Sequence, residues 1–429
     1  MSKSFSFSDL DNKLSKISPL GSIITKNAFS TIDEWIPTGN YMLNAQMSGS
    51  LFGGMPNCRS ICIAGETGTG KTFLTLNMCR EAQLMGYDVI YCDSEAAVDQ
   101  DVIEKFGIDP ERLRYEPVST IQQFSIFVNN LCKMIADAKE AGKETPKIFL
   151  VLDSLGNLAS SKEKEDMLSG KQVRDMTKQQ VIRSMFRTAT VDMAANKIPF
   201  VFTNHTYQGI GLFAKKEISG GGGVGFNPSI TIMLTKAKLK EGNDKAKKAE
   251  MGQTGIIVSS WPKKNRFARP IPVKFHISFF KGMNKYTGLE KYITWDSAGI
   301  GKGDLLTEKQ FNKLSAKKKE GYDVDRYSWI HKTPIIETVD GEEVQTGEKE
   351  ERLYYFPKET ARSIVVKHLG KRLPKGDLFT PDVISDELLH EVDEKEIKPL
   401  FMLPDVNSLE DLAEIAEEIE STDEDEDED

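Results

Sequence analysis

Apolar positions along the chain fall into two alternating periods. RSICIAG (59–65), YDVIYCD (87–93), KIFLVLD (147–153), IPFVFTNH (198–205) and SITIMLTKAKL (229–239) are short apolar runs that end in glycine or polar residues. Runs of this kind mark strands buried on both faces. Between them, TFLTLNMCREAQLMG (72–86), 121–142 and 173–196 read as helices, and in 121–142 the residues Ile121, Phe124, Val128, Leu131 and Ile135 form one apolar stripe. The alternation predicts an α/β core over 51–300, with a mainly parallel central sheet covered by helices on both faces. The first 50 residues are sparser, with one amphipathic stretch (Phe7, Leu10, Leu14, Ile17) among prolines and glycines. They are expected to serve as an arm that docks on a neighbouring molecule. Past 300 the pattern changes. LTEKQFNKLSAKKKEGYD (306–323) and ETARSIVVKHLGKR (359–372) read as helical, and between them the Asp-Gly and Thr-Gly pairs of 329–356 predict β-hairpins. A smaller α+β domain over 301–409 is expected.

Charge alters this picture at one end only. Residues 410–429 hold 13 acidic and no basic residues, so removing them from the net charge of −9 leaves +4 for residues 1–409. The body is mildly basic, and a like-charged terminal block is expected to be disordered. It is either a solubilising tail or an arm that competes with an anionic ligand for the basic body. The five cysteines form no CxxC pair, which points away from zinc and disulfides and toward reduced thiols in a cytoplasm. The start, MSKSFSFSDLDNKL, lacks the apolar segment of a signal peptide, and no run is long enough to span a membrane.

The candidate chemistry begins where RSICIAG runs into GETGTGKT, residues 65–72, ahead of a helix. This is GxxxxGK[ST] in the context it requires, strand before and helix after. Over Gly65, Glu66, Thr67, Gly68, Thr69 and Gly70, backbone N–H groups can turn inward around phosphates, and the helix N-terminus adds its dipole. Lys71 is placed to reach the β- and γ-phosphates and Thr72 to ligate Mg²⁺. Such a site needs a carboxylate at the tip of a buried strand, and Asp153 at the end of KIFLVLD supplies it. Among Asp93, Ser94 and Glu95, Glu95 is the candidate base for the attacking water, while Asp93 suits a cap for the strand end or turn. Strand ends of open α/β sheets gather at one edge. Asn204 and His205 therefore belong near the same phosphates, as a candidate sensor. The loop that follows carries Tyr207, Phe213, Lys215 and Lys216 and then four glycines, 220–223.

GETGTGKT, DSE, LVLDSLGNLAS and NHTYQGIGLFAKKEISGGGGVGF, taken in that order, resemble the RecA recombinases, most closely those of T-even-type phages. The likeness runs from about 25 to 300 and more loosely beyond. It implies a RecA-like P-loop ATPase core in which Glu95 activates water, Asp153 is linked to Mg²⁺, and Asn204 and His205 sense the γ-phosphate. It also implies two DNA-binding loops, about 157–172 and 206–223, facing the axis of a helical filament. Tyr207, Phe213, Lys215 and Lys216 then offer aromatic and basic contacts to single-stranded DNA, with the glycines as a hinge. In SSWPKKNRFARP, Lys264 and Arg266 resemble residues that reach a neighbouring subunit's ATP, although Lys263 is a third candidate there. The implied activity is DNA-dependent ATP hydrolysis coupled to pairing of single-stranded with homologous double-stranded DNA. A single-strand-binding protein and a loading mediator are implied partners. A hexameric helicase on the same fold, or an ATP-gated scaffold that coats DNA without catalysing exchange, are the alternatives.

Overall fold

The buried apolar runs become the middle of one ten-stranded sheet in the computed structural model. The structure describes residues 6–18, 21, 23–24, 31–170, 178–208, 216–219, 227–239, 254–289, 292, 300–302, 306–319, 322–339, 342–357, 363–366, 371–374 and 384–404. The chain opens with α1 (Phe7–Ile17), and a short antiparallel pair, β1 (Trp35–Ile36) and β2 (Met55–Pro56), brackets α2 (Tyr41–Ser48). Next come β3 (Ser60–Gly65), α3 (Lys71–Leu84), β4 (Tyr87–Asp93), α4 (Gln100–Lys105), β5 (Leu113–Pro117), α5 (Ile121–Glu140) and β6 (Lys147–Asp153). After α6 (Ser161–Leu168) and α7 (Lys178–Ala195) follow β7 (Phe200–Gln208), β8 (Lys216–Ile218) and β9 (Ile230–Leu239). The run closes with β10 (Gly255–Asn265), β11 (Val273–Ser278) and β12 (Gly282–Met283).

Strands β9-β3-β7-β6-β4-β5 are parallel neighbours in that order, and β10, β11 and β12 extend the β9 side antiparallel. Two-sided burial explains the sequence pattern. Ile61, Ile63, Val89, Tyr91, Phe149, Val151 and Val201 face the cluster that includes α3. Cys62, Ala64, Ile90, Cys92, Leu150, Leu152, Phe200 and Phe202 face the opposite one, with Phe124 and Val128 of α5 and Ile182, Met185 and Phe186 of α7. With helices on both faces, neither side of these strands has room for the polar alternation of a half-exposed sheet. All five cysteines are buried and free, and burial raises the pKa of each thiol, which leaves them as small apolar core residues.

The region past 300 departs from expectation in three places. Residues 359–372 contain strands β17 (Ser363–Val366) and β18 (Lys371–Pro374), paired antiparallel, where a helix was expected. The β-branched run Ile364-Val365-Val366 is stiff at χ1 and fits a pleated strand better than a helix. β13 (Ile300–Lys302) joins that pair, and β14 (Leu306–Thr307) pairs elsewhere. Among the described residues of 306–323 the helical pieces are α8 (Glu308–Asn312) and α9 (Ala316–Lys319). β15 (Tyr322–Val339) and β16 (Glu342–Pro357) make a single long hairpin, with Val339 opposite Glu342. Gly347 lies in its ladder opposite Pro334, so the Thr-Gly pair makes no turn there.

The chain then returns to the core. In α10 (Asp386–Val392) and α11 (Lys398–Phe401), Leu389, Val392 and Phe401 join Ile384 and Ile397 in the α3-side cluster. Asp393 is buried and accepts from Ser50 Oγ at 2.6 Å and from the Leu51 backbone N–H at 2.7 Å, tying this strap to the loop after α2. The acidic tail lies outside the described residues.

Candidate functional site

The parallel register brings the candidate residues to one edge. Gly65 of β3 pairs with His205 of β7, and Asp93 of β4 with Asp153 of β6, so four strand ends meet over the N-terminus of α3. The P-loop between β3 and α3 needs glycine where its backbone turns. Gly68 (φ +72°) and Gly70 (φ +90°) both occupy the left-handed region that side chains disfavour. Lys71 is mostly buried and donates to the carbonyls of Gly65 (3.0 Å) and Glu66 (3.1 Å). Thr69 donates its hydroxyl to the Glu66 carbonyl at 2.8 Å, and Lys236 of β9 donates to the carbonyl of Thr67 at 2.8 Å. Burial lowers the Lys71 pKa; the carboxylates of Asp153 and Glu95 oppose that shift, and the charge of Lys236 adds to it.

Thr72 donates to Asp153 Oδ2 at 2.6 Å. A hydroxyl that spends its proton on a carboxylate keeps its lone pairs for a cation. Hydroxyl and carboxylate oxygens are hard donors that suit Mg²⁺, so the residues fit the implied ion. Among the described residues no group of three or more His, Cys, Asp or Glu side chains could hold a metal ion.

Glu95 sits just past β4. Its Oε1 accepts from Ser154 Oγ at 2.7 Å and lies 3.1 Å from His205 Nε2. Burial raises the Glu95 pKa, but the hydrogen bonds from Ser154 and His205 and the charges of His205 and Lys71 outweigh it and hold the carboxyl below its ordinary value. A base must be ionised to act, and these partners keep Glu95 ionised. Asp93 takes the capping role expected of it, accepting from the backbone N–H groups of Glu95 (2.7 Å) and Ala97 (3.0 Å). That turn sets the direction in which Glu95 leaves the sheet.

Asn204 and His205 connect this edge to the segment beyond. Asn204 is fully buried and donates through Nδ2 to the Ser219 carbonyl at 2.7 Å, while Ser219 N–H donates to the His205 carbonyl at 2.9 Å. They close the base of a β-hairpin in which Thr206 pairs with Ile218 and Tyr207 with Glu217. The half-exposed Tyr207 donates its hydroxyl to Glu217 at 3.1 Å. Phe213, Lys215 and the glycines 220–223 lie outside the described residues, and Lys216 is described by its backbone alone, in β8. Sequence reading expected a loop here and missed β8. Its three residues, between Lys215 and Ser219, are too few to carry an alternating signal of their own. In the first loop, Ser160 and Glu163 form a capping box that starts α6, which ends on the exposed Met167 and Leu168.

Lys264 and Arg266 are not brought to this edge. Lys264 pairs with Thr231 and Asn265 with Ile230, at the start of β9, so both basic residues lie at the far end of the sheet from Lys71. There Arg266 lines a cleft of about 330 Å³ with Arg59, Ser60, Val191 and Phe200. Burial and the Arg266 charge lower the Lys264 pKa. A groove of about 770 Å³ beside the P-loop escaped sequence reading; Gly68, Gly70, Phe73, Arg80, Phe106 and Phe279 are among its lining residues. The adjacent pair Phe279-Phe280 in HISFFKGM, largely exposed, was the available signal.

An open, mostly parallel α/β sheet with a P-loop and two carboxylates at its strand ends places the chain in the P-loop class. A model of the RecA N-terminal domain matches residues 8–284, and the chain belongs to the RecA family. It is 34% identical over 242 residues to the "Recombination and repair protein" of Enterobacteria phage T4, covering 55% of this chain and 60% of that protein. It is also 26% identical over 366 residues to "Protein RecA" of Mycolicibacterium gilvum, covering 83% and 88%, and 27% identical over 260 residues to "Protein RecA" of Streptomyces ambofaciens, covering 60% and 64%. The chain thus spans about three-fifths of the length of the phage relative. No helix among the described residues is long and apolar enough to cross a membrane.

Ser154→Ala removes one donor to Glu95 while leaving the Ser154 backbone bonds to Ser94 in place. Because that bond lowers the Glu95 pKa, its loss raises it, and the acid limb of the pH profile of kcat for ATP hydrolysis should move to higher pH. An unmoved acid limb would separate Glu95 from the base role.

Proposed function

We propose that the chain is an ATP-dependent recombinase that assembles on single-stranded DNA, pairs it with a homologous duplex and exchanges strands. The observation that carries this reading is the hydrogen-bonded path from Glu95 through His205 and Asn204 to the hairpin holding Tyr207. The fold alone would fit any nucleotide-driven machine; this path joins the nucleotide edge to a segment of basic and aromatic composition.

In the proposed cycle, P-loop N–H groups and the N-terminus of α3 receive the phosphates, and Lys71 turns from the carbonyls of Gly65 and Glu66 toward them. Thr72 and Asp153 would hold Mg²⁺, which when bound neutralises charge on the phosphate oxygens. The aromatic groove at Phe73, Phe106 and Phe279 suits the nucleotide base. Glu95 orients and deprotonates the attacking water. His205, hydrogen-bonded to that carboxylate, passes the state of the site to the hairpin, where Tyr207, Phe213, Lys215 and Lys216 meet DNA phosphates and bases. Lys264 and Arg266, at the far end of the sheet from Lys71, are assigned to a neighbouring protomer's nucleotide, so that assembly would complete each site. The arm fits the same assembly. α1 is capped at both backbone and side chain by Ser6 and Asp9, yet it leaves Phe7 71% and Ile17 81% exposed and buries no residue. An 11-residue helix is marginal alone, so its apolar face is assigned to the next protomer.

Wild-type protein with ATP and Mg²⁺ should convert circular single strands and homologous linear duplex into joint molecules and then into exchanged product, and should fail with a non-homologous duplex. Glu95→Gln should still bind DNA and form joint molecules but lose hydrolysis by at least about 100-fold, stalling turnover. Homology-independent unwinding would instead indicate a helicase, and DNA coating without any joint molecules a scaffold. Removing residues 1–25 should abolish long filaments in negative-stain electron microscopy while the circular dichroism of the core is kept; normal filaments would rule out the docking role of α1.

A further inference from the structure

Near the phosphate edge, two strand residues bring hydroxyls into the α3 side of the sheet. Down that face, β4 presents Tyr87, Val89 and Tyr91, and β7 presents Val201 and then Thr203. Tyr91 and Thr203 are both fully buried. Phenylalanine and valine would fill the same volumes without bringing a hydroxyl into the core, and a buried hydroxyl is costly unless it is bonded. Both hydroxyls meet the same group. Tyr91 donates to Asp153 Oδ2 at 2.9 Å, and Thr203 donates to Asp153 Oδ1. With Thr72 on Oδ2 at 2.6 Å, Asp153 accepts three hydroxyl hydrogen bonds from three different elements, α3, β4 and β7.

We infer that Tyr91 and Thr203 are positioning residues for the metal-linked carboxylate: together they lock both oxygens of Asp153, so that the Thr72–Asp153 pair presents a fixed set of oxygens to the cation. This rests on the Mg²⁺-nucleotide reading of the site. The geometry divides the labour between the two oxygens. Thr203 holds Oδ1 alone, from the strand that flanks β6 on the α7-linked side. Tyr91 shares Oδ2 with Thr72, from the strand on the other side. Asp153 is 2% exposed and cannot turn to water for replacement donors. With either hydroxyl removed, the carboxylate gains a rotation about its last side-chain bond that the native site denies it. The cation, which demands near-ideal octahedral placement of its ligands, is the component most sensitive to that freedom. Partners that orient a metal ligand in this way usually change metal affinity by about 10–100-fold when removed.

The test uses full-length protein and the fluorescent analogue N-methylanthraniloyl-ADP, titrated with Mg²⁺ and, separately, in EDTA. Thr203→Val and Tyr91→Phe keep shape and remove one hydroxyl each. Each should raise the Mg²⁺ concentration for half-maximal nucleotide binding by about 10-fold, and the double variant by more, while affinity for the analogue in EDTA stays at the wild-type value. Thr203→Ser restores a hydroxyl and should restore the wild-type Mg²⁺ midpoint. A structural role alone would lower thermal stability or weaken binding equally with and without Mg²⁺, and unchanged Mg²⁺ midpoints would overturn the inference. Failure of the wild-type protein to bind the nucleotide at all would overturn the reading beneath it, and this one with it.

Discussion

One carboxylate oxygen, Oε1 of Glu95, accepts from Ser154 at 2.7 Å and meets His205 Nε2 at 3.1 Å, and through it the two halves of the site are joined. Ser154 follows the Asp153 strand, and His205 ends the strand that leads into the hairpin. Both partners are only about one-third exposed or less, so the contact is screened less than a surface pair, yet it is open enough to break and re-form. A stronger, fully buried pair would hold the hairpin fixed whatever occupied the P-loop. A fully exposed one would transmit nothing.

That contact depends in turn on the parallel sheet. Parallel strands with helices on both faces bring their C-terminal ends to one edge, so residues distant in sequence are brought to one site. The registers Gly65–His205 and Asp93–Asp153 are backbone facts, supported by packing of Phe200, Phe202, Leu150 and Leu152 in the strands below the edge. A one-residue slip in β7 would turn Thr203 and His205 to the α7 face and bring Asn204 round to Asp153. The same geometry sends Lys264 and Arg266 to the opposite end, where one chain cannot use them on its own nucleotide. Separation of these groups within a protomer is what makes assembly functional in the proposed cycle.

The legible part of the site was that fixed by local chemistry. GETGTGKT declares its glycines and lysine in order. Asp153 follows five apolar residues that could only be a buried strand, and Asp93 caps the turn at Glu95 as its position implied. Features that arise from packing between distant segments were not legible. Tyr91 and Thr203 read as ordinary strand residues until the sheet places both against Asp153. The groove at Phe73, Phe106 and Phe279 draws on three separate elements. The strap around Asp393 looks in sequence like part of the domain before it; its packing into the α3-side cluster and the bonds of Asp393 to Ser50 and Leu51 reveal the core as its partner. At 359–372, which reads as helical, the β-branched run and tertiary pairing decided for strands.

In the proposed cycle, nucleotide and DNA meet through one sheet edge. The most direct measurement is the steady-state rate of ATP hydrolysis with and without a long single-stranded DNA, at fixed moderate salt. Hydrolysis should be stimulated at least about 10-fold by DNA, equivalent to roughly 1.4 kcal/mol off the barrier, and His205→Ala should lose that stimulation. A rate indifferent to DNA would contradict this cycle, leaving an ATPase core whose hairpin has some other purpose.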